Sequence, residues 1–168
     1  MAWTMYYSMR RILLGTTALM VMSSAPAQNS QELESRTRFG TLEIDRGMLV
    51  FKGQPLQPPI QLNSGMDLGE PFHIGATDVV LVTNYGGTAC PAQYYFVAVS
   101  KSGAKGTAAF GTCNDDATIR RSGDSTLVTM HGYRGPFEPA AEKAKAARET
   151  HVFVFRDGAV TERGHASR

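Results

Sequence analysis

From Arg38 onward, short runs rich in Val, Ile, Phe, Tyr and Thr alternate with clusters of Gly, Asn, Asp and Pro, and this alternation constrains the chain more than any other feature. β-branched and aromatic side chains suit a pleated surface, whereas the intervening residues turn the backbone, so the pattern reads as antiparallel strands joined by tight connections. Strands are expected at 39–45, 48–52, 59–62, 78–84, 92–99, 107–112, 117–121, 125–131, 150–156 and 159–163. Helical periodicity is nearly absent. The fold class is therefore mainly β, an antiparallel β-sandwich or open barrel with one short helix in the C-terminal half.

Turn residues locate the hairpins. Gly47, between Leu42–Asp45 and Met48–Phe51, suits a three-residue loop with a bulge, and Asp157-Gly158 suits a two-residue type I′ turn. A third hairpin is expected to join 92–99 to 107–112 through residues 101–106. Pro55, Pro58 and Pro59 cannot donate to a ladder, so 54–59 reads as a crossing loop or covered edge. The segment 65–75 reads as loop. Pro139 fits a first helical turn, and Ala140 to Arg148 favour helix with only alanines to bury, which makes a short surface helix able to lie as a lid over one end of the sheet.

The N-terminus sets the compartment. Arg10-Arg11, the apolar run Ile12–Met22 and the small-residue tail Ser23–Ala27 follow the plan of a secretory signal, with cleavage expected after Ala27. The apolar run is far shorter than the roughly 20 residues a membrane span needs. Translation starts at Met1 or Met9, and export is by the general or the twin-arginine route. The organisation expected is a signal peptide at 1–27, a flexible lead-in at 28–37, one β-rich domain at 38–163 and a disordered tail at 164–168. The chain has 17 Lys+Arg and 15 Asp+Glu, and loss of Arg10 and Arg11 with the signal leaves 15 of each. A body of zero net charge without a basic run lacks the footprint of a nucleic-acid or anionic-membrane binder. Trp3 is the chain's one tryptophan, so the mature form has none.

Two cysteines in an exported chain are expected to pair, here Cys90 with Cys113. A hairpin register that sets Phe96 opposite Thr107 and Tyr94 opposite Ala109 brings Cys90 opposite Cys113, provided that the loop is wider than a tight turn on Ser102-Gly103. A redox-active pair would carry Cys-x-x-Cys, which the sequence lacks.

Chemistry-bearing residues are sparse. His73, His131, His151 and His165 share no metal-ligand spacing, so no metal and no cofactor are expected. His73 and His131 are the candidates to line a pocket. Asn114-Asp115-Asp116 lacks the alternation of a calcium loop and fits turn chemistry. Gly86-Gly87 lacks the Gly-Lys-Ser/Thr of a phosphate loop and fits a tight connection into the disulfide, and no Gly-x-Ser-x-Gly elbow occurs. On strand 92–99, Tyr94 and Phe96 share one face while Tyr95, Val97 and Val99 take the other, which fits the core of a two-layer sandwich or one face offered to a ligand. Tyr85 and Tyr133 stand among glycines in expected turns. With Arg134 they are the candidate partner-binding residues, since Tyr and Arg lead binding hot spots. The same tyrosines would otherwise fold back as plugs over the ends of the sandwich.

In Gly86-Gly87-Thr88-Ala89-Cys90-Pro91, Tyr95-Phe96-Val97, Phe110-Gly111-Thr112-Cys113-Asn114-Asp115, Val128-Thr129-Met130 and Gly132–Phe137, the chain resembles a group of exported proteobacterial proteins sharing a GGxxCP…FGTC frame. The resemblance spans about residues 78–160. It implies a periplasmic β-rich domain with that disulfide; it implies no activity and carries over no functional residue.

The expected function is a non-enzymatic protein- or ligand-binding module of the periplasm, inhibitor- or immunity-like, with another envelope protein as partner. No nucleic acid and no stable membrane insertion after cleavage are expected. The alternative is a small envelope hydrolase using His73 or His131 with a nearby carboxylate.

Overall fold

The computed structural model describes residues 34–167, with side chains to Gly164. The signal peptide and most of the lead-in lie outside these residues. Thirteen strands and one helix follow in order: β1 Glu34–Thr37, β2 Gly40–Asp45, β3 Met48–Phe51, β4 Gln54–Pro55, β5 Gly65–Leu68, β6 Phe72–Ile74, β7 Thr77–Tyr85, β8 Ala92–Ser100, β9 Gly103–Gly106, β10 Ala117–Ser122, β11 Ser125–His131, α1 Ala140–Ala146, β12 Glu149–Arg156 and β13 Ala159–Ser167.

They form three antiparallel sheets: β1-β2-β3-β4, then β5-β7-β8-β9 with β6 also paired to β7, then β10-β11-β12-β13. Among the described residues no sheet closes into a barrel. The second sheet is the middle layer, because successive side chains on β7 and β8 enter two different cores. Val80, Val82, Val97 and Val99 pack with Leu42, Leu49, Met66 and Leu68 against the first sheet. Val79, Tyr94 and Phe96 pack with Val128, Met130, Phe153 and Phe155 against the third. The two apolar faces of Tyr94–Val99 thus belong to a strand buried on both sides, in three layers rather than the expected two. Phe96 anchors the second core: its ring lies 4.6 Å from that of Phe155 and 5.4 Å from that of Phe110. Each such side chain contributes about 1.5–3 kcal/mol by leaving water.

Tight turns set the registers. Arg156 pairs with Ala159 around Asp157-Gly158, both at positive φ, as a type I′ turn requires. Asp45 pairs directly with Met48, so Arg46-Gly47 is also a two-residue turn at positive φ, not the expected three-residue loop. The third hairpin is tighter than expected. Ser100 pairs with Gly103 around Lys101-Ser102, and β9 occupies residues assigned to the loop. Its pairing of Val97 with Gly106 keeps the expected register, and the Thr107 amide donates to the Phe96 carbonyl at 2.9 Å. The ladder then slips by one, to a single bridge between Tyr94 and Phe110, so 107–112 is not a strand. Cys90 and Cys113 are nonetheless bonded, with Cα atoms 4.7 Å apart.

Other expectations are corrected by anchoring contacts. Glu34–Thr37, assigned to the lead-in, form β1 because Ser35 Oγ donates to the Gly69 carbonyl at 3.0 Å and β1 ladders on β2. β13 extends to Ser167, past the expected end at 163 and into the expected tail, since β12 supplies partners as far as Glu149. Segment 65–75 contains β5 and β6, whose Met66, Leu68 and Phe72 are buried. Segment 59–62 makes only the bridge of Gln61 to Met48, because Pro58 and Pro59 have no amide to donate, yet Leu56 and Ile60 enter the first core.

Candidate functional site

The third sheet positions a polar cleft. On β12, Glu149, His151, Phe153 and Phe155 project toward the middle layer; the phenylalanines fill the second core, and Glu149 and His151 stand where that core opens. The β12–β13 register slips between Thr150 and Val152, which sets His151 opposite a bulge in β13. Glu162, opposite Phe153 on β13, reaches His151 Nδ1 at 2.8 Å, and Glu149 Oε2 lies 3.9 Å from Nε2. The imidazole stacks on Phe153, with centroids 6.5 Å apart.

These residues floor a cleft of about 620 Å³ whose mouth carries Thr112, Tyr133, Arg134 and Lys145. A second hollow of about 580 Å³ adjoins it through Gly111, Phe153 and Glu162. An imidazole between two carboxylates can exchange a proton or receive a cationic group. Among the described residues no group of three or more His, Cys, Asp or Glu is placed to hold a metal ion.

The rim is braced. Tyr133 donates its hydroxyl to the Thr88 carbonyl at 2.5 Å, and Arg134 donates to the carbonyl of Tyr133 at 3.0 Å. A Cβ on Gly132 would stand 2.6 Å from the Ala146 carbonyl oxygen, so only glycine lets the end of α1 pack there. Lys143 Nζ donates to the Pro136 carbonyl at 3.1 Å. From this braced loop Phe137 projects with 97% of its surface exposed.

The other expected residues lie elsewhere. Tyr85 is half-buried against the second core and donates to Asp67 Oδ2 at 2.7 Å; that bond, burial and the Asp67 charge push its pKa up to about 12. Tyr94, 2% exposed, is pushed to about 12 by burial and then by Asp115 and Asp116. Asp116 donates its amide to Asn114 Oδ1 at 2.8 Å, the side-chain turn expected there. Gly86 and Gly87 make the tight connection into the disulfide, with Gly86 N bonded to Pro91 O at 2.8 Å and Cys90 N to Gly87 O at 3.0 Å.

His131 lines a shallow recess of about 410 Å³ with Thr129, Arg148 and Thr150, on the outward side of the third sheet. His73 sits at the edge of the middle sheet, its Nδ1 2.6 Å from Asp78 Oδ1, so the two histidines belong to different neighbourhoods. The Asp78 side chain is 0% exposed and also accepts Arg38 N and Nε at 2.7 Å each. Burial alone would raise its pKa, but the Arg38 bonds and the His73 bond outweigh burial and hold it below the usual range.

Sequence reasoning missed Glu149, His151, Glu162 and Phe137. The alternation on 149–155 was available to reveal the first two; nothing in Pro136-Phe137-Glu138-Pro139 distinguishes an exposed phenylalanine from one that covers a helix. No protein family, curated protein or solved structure matches the chain.

Proposed function

We propose that this chain is an exported binding module of the periplasm, inhibitor- or immunity-like, that engages another envelope protein through Tyr133 and Arg134 at the cleft mouth and Phe137 on the same loop. Phe137 carries the reading. A phenylalanine exposed over 97% of its surface gains apolar contact when a partner covers it, and its loop is braced on both sides. Bracing lowers the ordering cost of association. The disulfide supports an oxidising, non-cytoplasmic compartment, and no described helix is long and apolar enough to cross a membrane. The resemblance to exported proteobacterial proteins and the signal-like N-terminus favour the periplasm. A photo-reactive residue at position 137, expressed with the native export sequence, should trap one discrete partner, and the same residue at position 101 should trap none. No adduct at 137, or equal adducts at both, would refute the reading.

A hydrolase is the second reading, favoured by the pairs His73–Asp78 at 2.6 Å and His151–Glu162 at 2.8 Å. It requires that an activated ester be turned over and that His73→Gln or His151→Gln abolish the turnover. A rate equal to buffer removes it.

A further inference from the structure

We infer that the outward face of the third sheet is a second docking surface, for a protein whose contact patch is apolar at its centre and rich in carboxylates at its rim. Residues opposite one another in the ladder share a face, so register identifies the outward set. Thr118, Thr129, Val152 and Arg163 form one row, and Arg120, Leu127, Val154 and Thr161 the next. Val154 is 4% exposed yet belongs to neither core, which places it on the side away from the middle layer.

The face has the anatomy of an interface. Leu127 and Val152, both half-buried, occupy its centre beside the buried Val154. Arg120 on β10 and Arg163 on β13 stand at opposite edges, three strand spacings or about 14 Å apart across the sheet and one row apart along it. Arg148 and His131 border the recess at one end. At the other end Arg156 is paired with Asp124 at 3.0 Å. Apolar centre and arginine-rich rim are the arrangement that protein partners favour.

Charge settles the partner's chemistry. Among the described residues, the strand positions on this face carry no Asp or Glu, and no carboxylate pairs with Arg120, Arg148 or Arg163. The sheet's strand carboxylates Glu149 and Glu162 lie on the opposite side, in the cleft. The two strand carboxylates of this sheet thus face the cleft, while Arg120 and Arg163 face outward with no strand carboxylate beside them. Partner carboxylates are the groups that would complement the outward set. The face lies on the other side of the sheet from the cleft and is independent of the loop at Phe137.

Polyglutamate tests this with a probe of carboxylates alone. Added to isotope-labelled protein at low salt, it should shift the amides of Thr118, Thr129, Val152 and Thr161. Replacing Arg120→Gln with Arg163→Gln should weaken that binding at least tenfold. Replacing Arg46→Gln with Lys101→Gln, an equal loss of charge elsewhere, should change it less than twofold. Shifts scattered over the whole surface, or equal weakening by both pairs, would reduce the effect to general charge attraction and overturn the proposal. Binding to phosphatidylglycerol vesicles without binding to polyglutamate would overturn it in favour of a lipid surface. Self-association lost in the Arg120→Gln, Arg163→Gln protein would overturn it in favour of a second copy.

Discussion

Tyr133 donates its hydroxyl to the carbonyl of Thr88, so the loop after β11 is tied to the loop that leads into Cys90. The disulfide therefore supports more than its own hairpin: it fixes the segment on which the rim of the cleft is braced.

Removing the bridge should be felt at both places. Cys90 and Cys113 stand 23 positions apart, and constraint of the unfolded chain by a loop of this size contributes roughly 3 kcal/mol. A Cys90→Ala, Cys113→Ala protein should lose about 2–5 kcal/mol in denaturant unfolding. Its amides at Gly132, Tyr133 and Arg134 should exchange faster than in the parent. Native protein should show no alkylatable thiol; full alkylation without unfolding would contradict the structural role.

Arg38 and Asp78 should respond unequally to mutation. Arg38→Ala leaves a carboxylate with 0% exposure held only by His73 and a backbone amide, at a cost near 3 kcal/mol. Asp78→Asn leaves an arginine and a histidine that already reach solvent, at about 1–2 kcal/mol. The Asp78 pKa is lower folded than unfolded. Its stabilisation is thus complete above the unfolded value near 3.9 and is lost as pH falls through the folded one. Acid unfolding of Asp78→Asn should lack that component.

Tyr85 and Tyr94 should report on alkaline unfolding. Both have pKa values near 12 folded and near 10 unfolded. Folding favours the neutral phenol, so the stabilisation is complete below pH 10 and is lost as pH rises toward 12. For buried Tyr94 the shift corresponds to about 2–3 kcal/mol. Phenolate absorbance should show two tyrosines titrating late, and Tyr85→Phe should remove one of them.

The fold was legible where one local rule acted alone. Alternation located β7, β8, β11 and β12, and Asp157-Gly158 located its turn, because a strand face and a positive φ are properties of adjacent residues. β1, β5 and β6 were not legible: they are three or four residues long, β1 is polar throughout, β5 and β6 are punctuated by Gly or Pro, and β1 is ordered by distant contacts such as Ser35 with Gly69. The third layer escaped for a related reason. An apolar pattern on both faces of β8 shows that two layers cover it without naming either. Of the candidate residues, Tyr133 and Arg134 do line the cleft, whereas Tyr85 plugs the second core beside Asp67. Loop composition alone does not separate the two fates, since both tyrosines neighbour glycine. His151 was passed over because its partner Glu162 lies on the neighbouring strand, and only the β12–β13 register brings the two together.

The central claim is that binding and stability reside in different aromatic residues, and it is tested by measuring partner affinity and melting temperature together for Phe137→Ala and Tyr85→Ala. The partner is the protein trapped at position 137. Phe137→Ala should weaken its binding by more than 1 kcal/mol, about tenfold, and leave the melting temperature unchanged. Tyr85→Ala should cost about 3 kcal/mol of stability and, below its melting temperature, leave the affinity intact. Unchanged affinity in Phe137→Ala, or a melting temperature lowered as far as in Tyr85→Ala, would contradict the account.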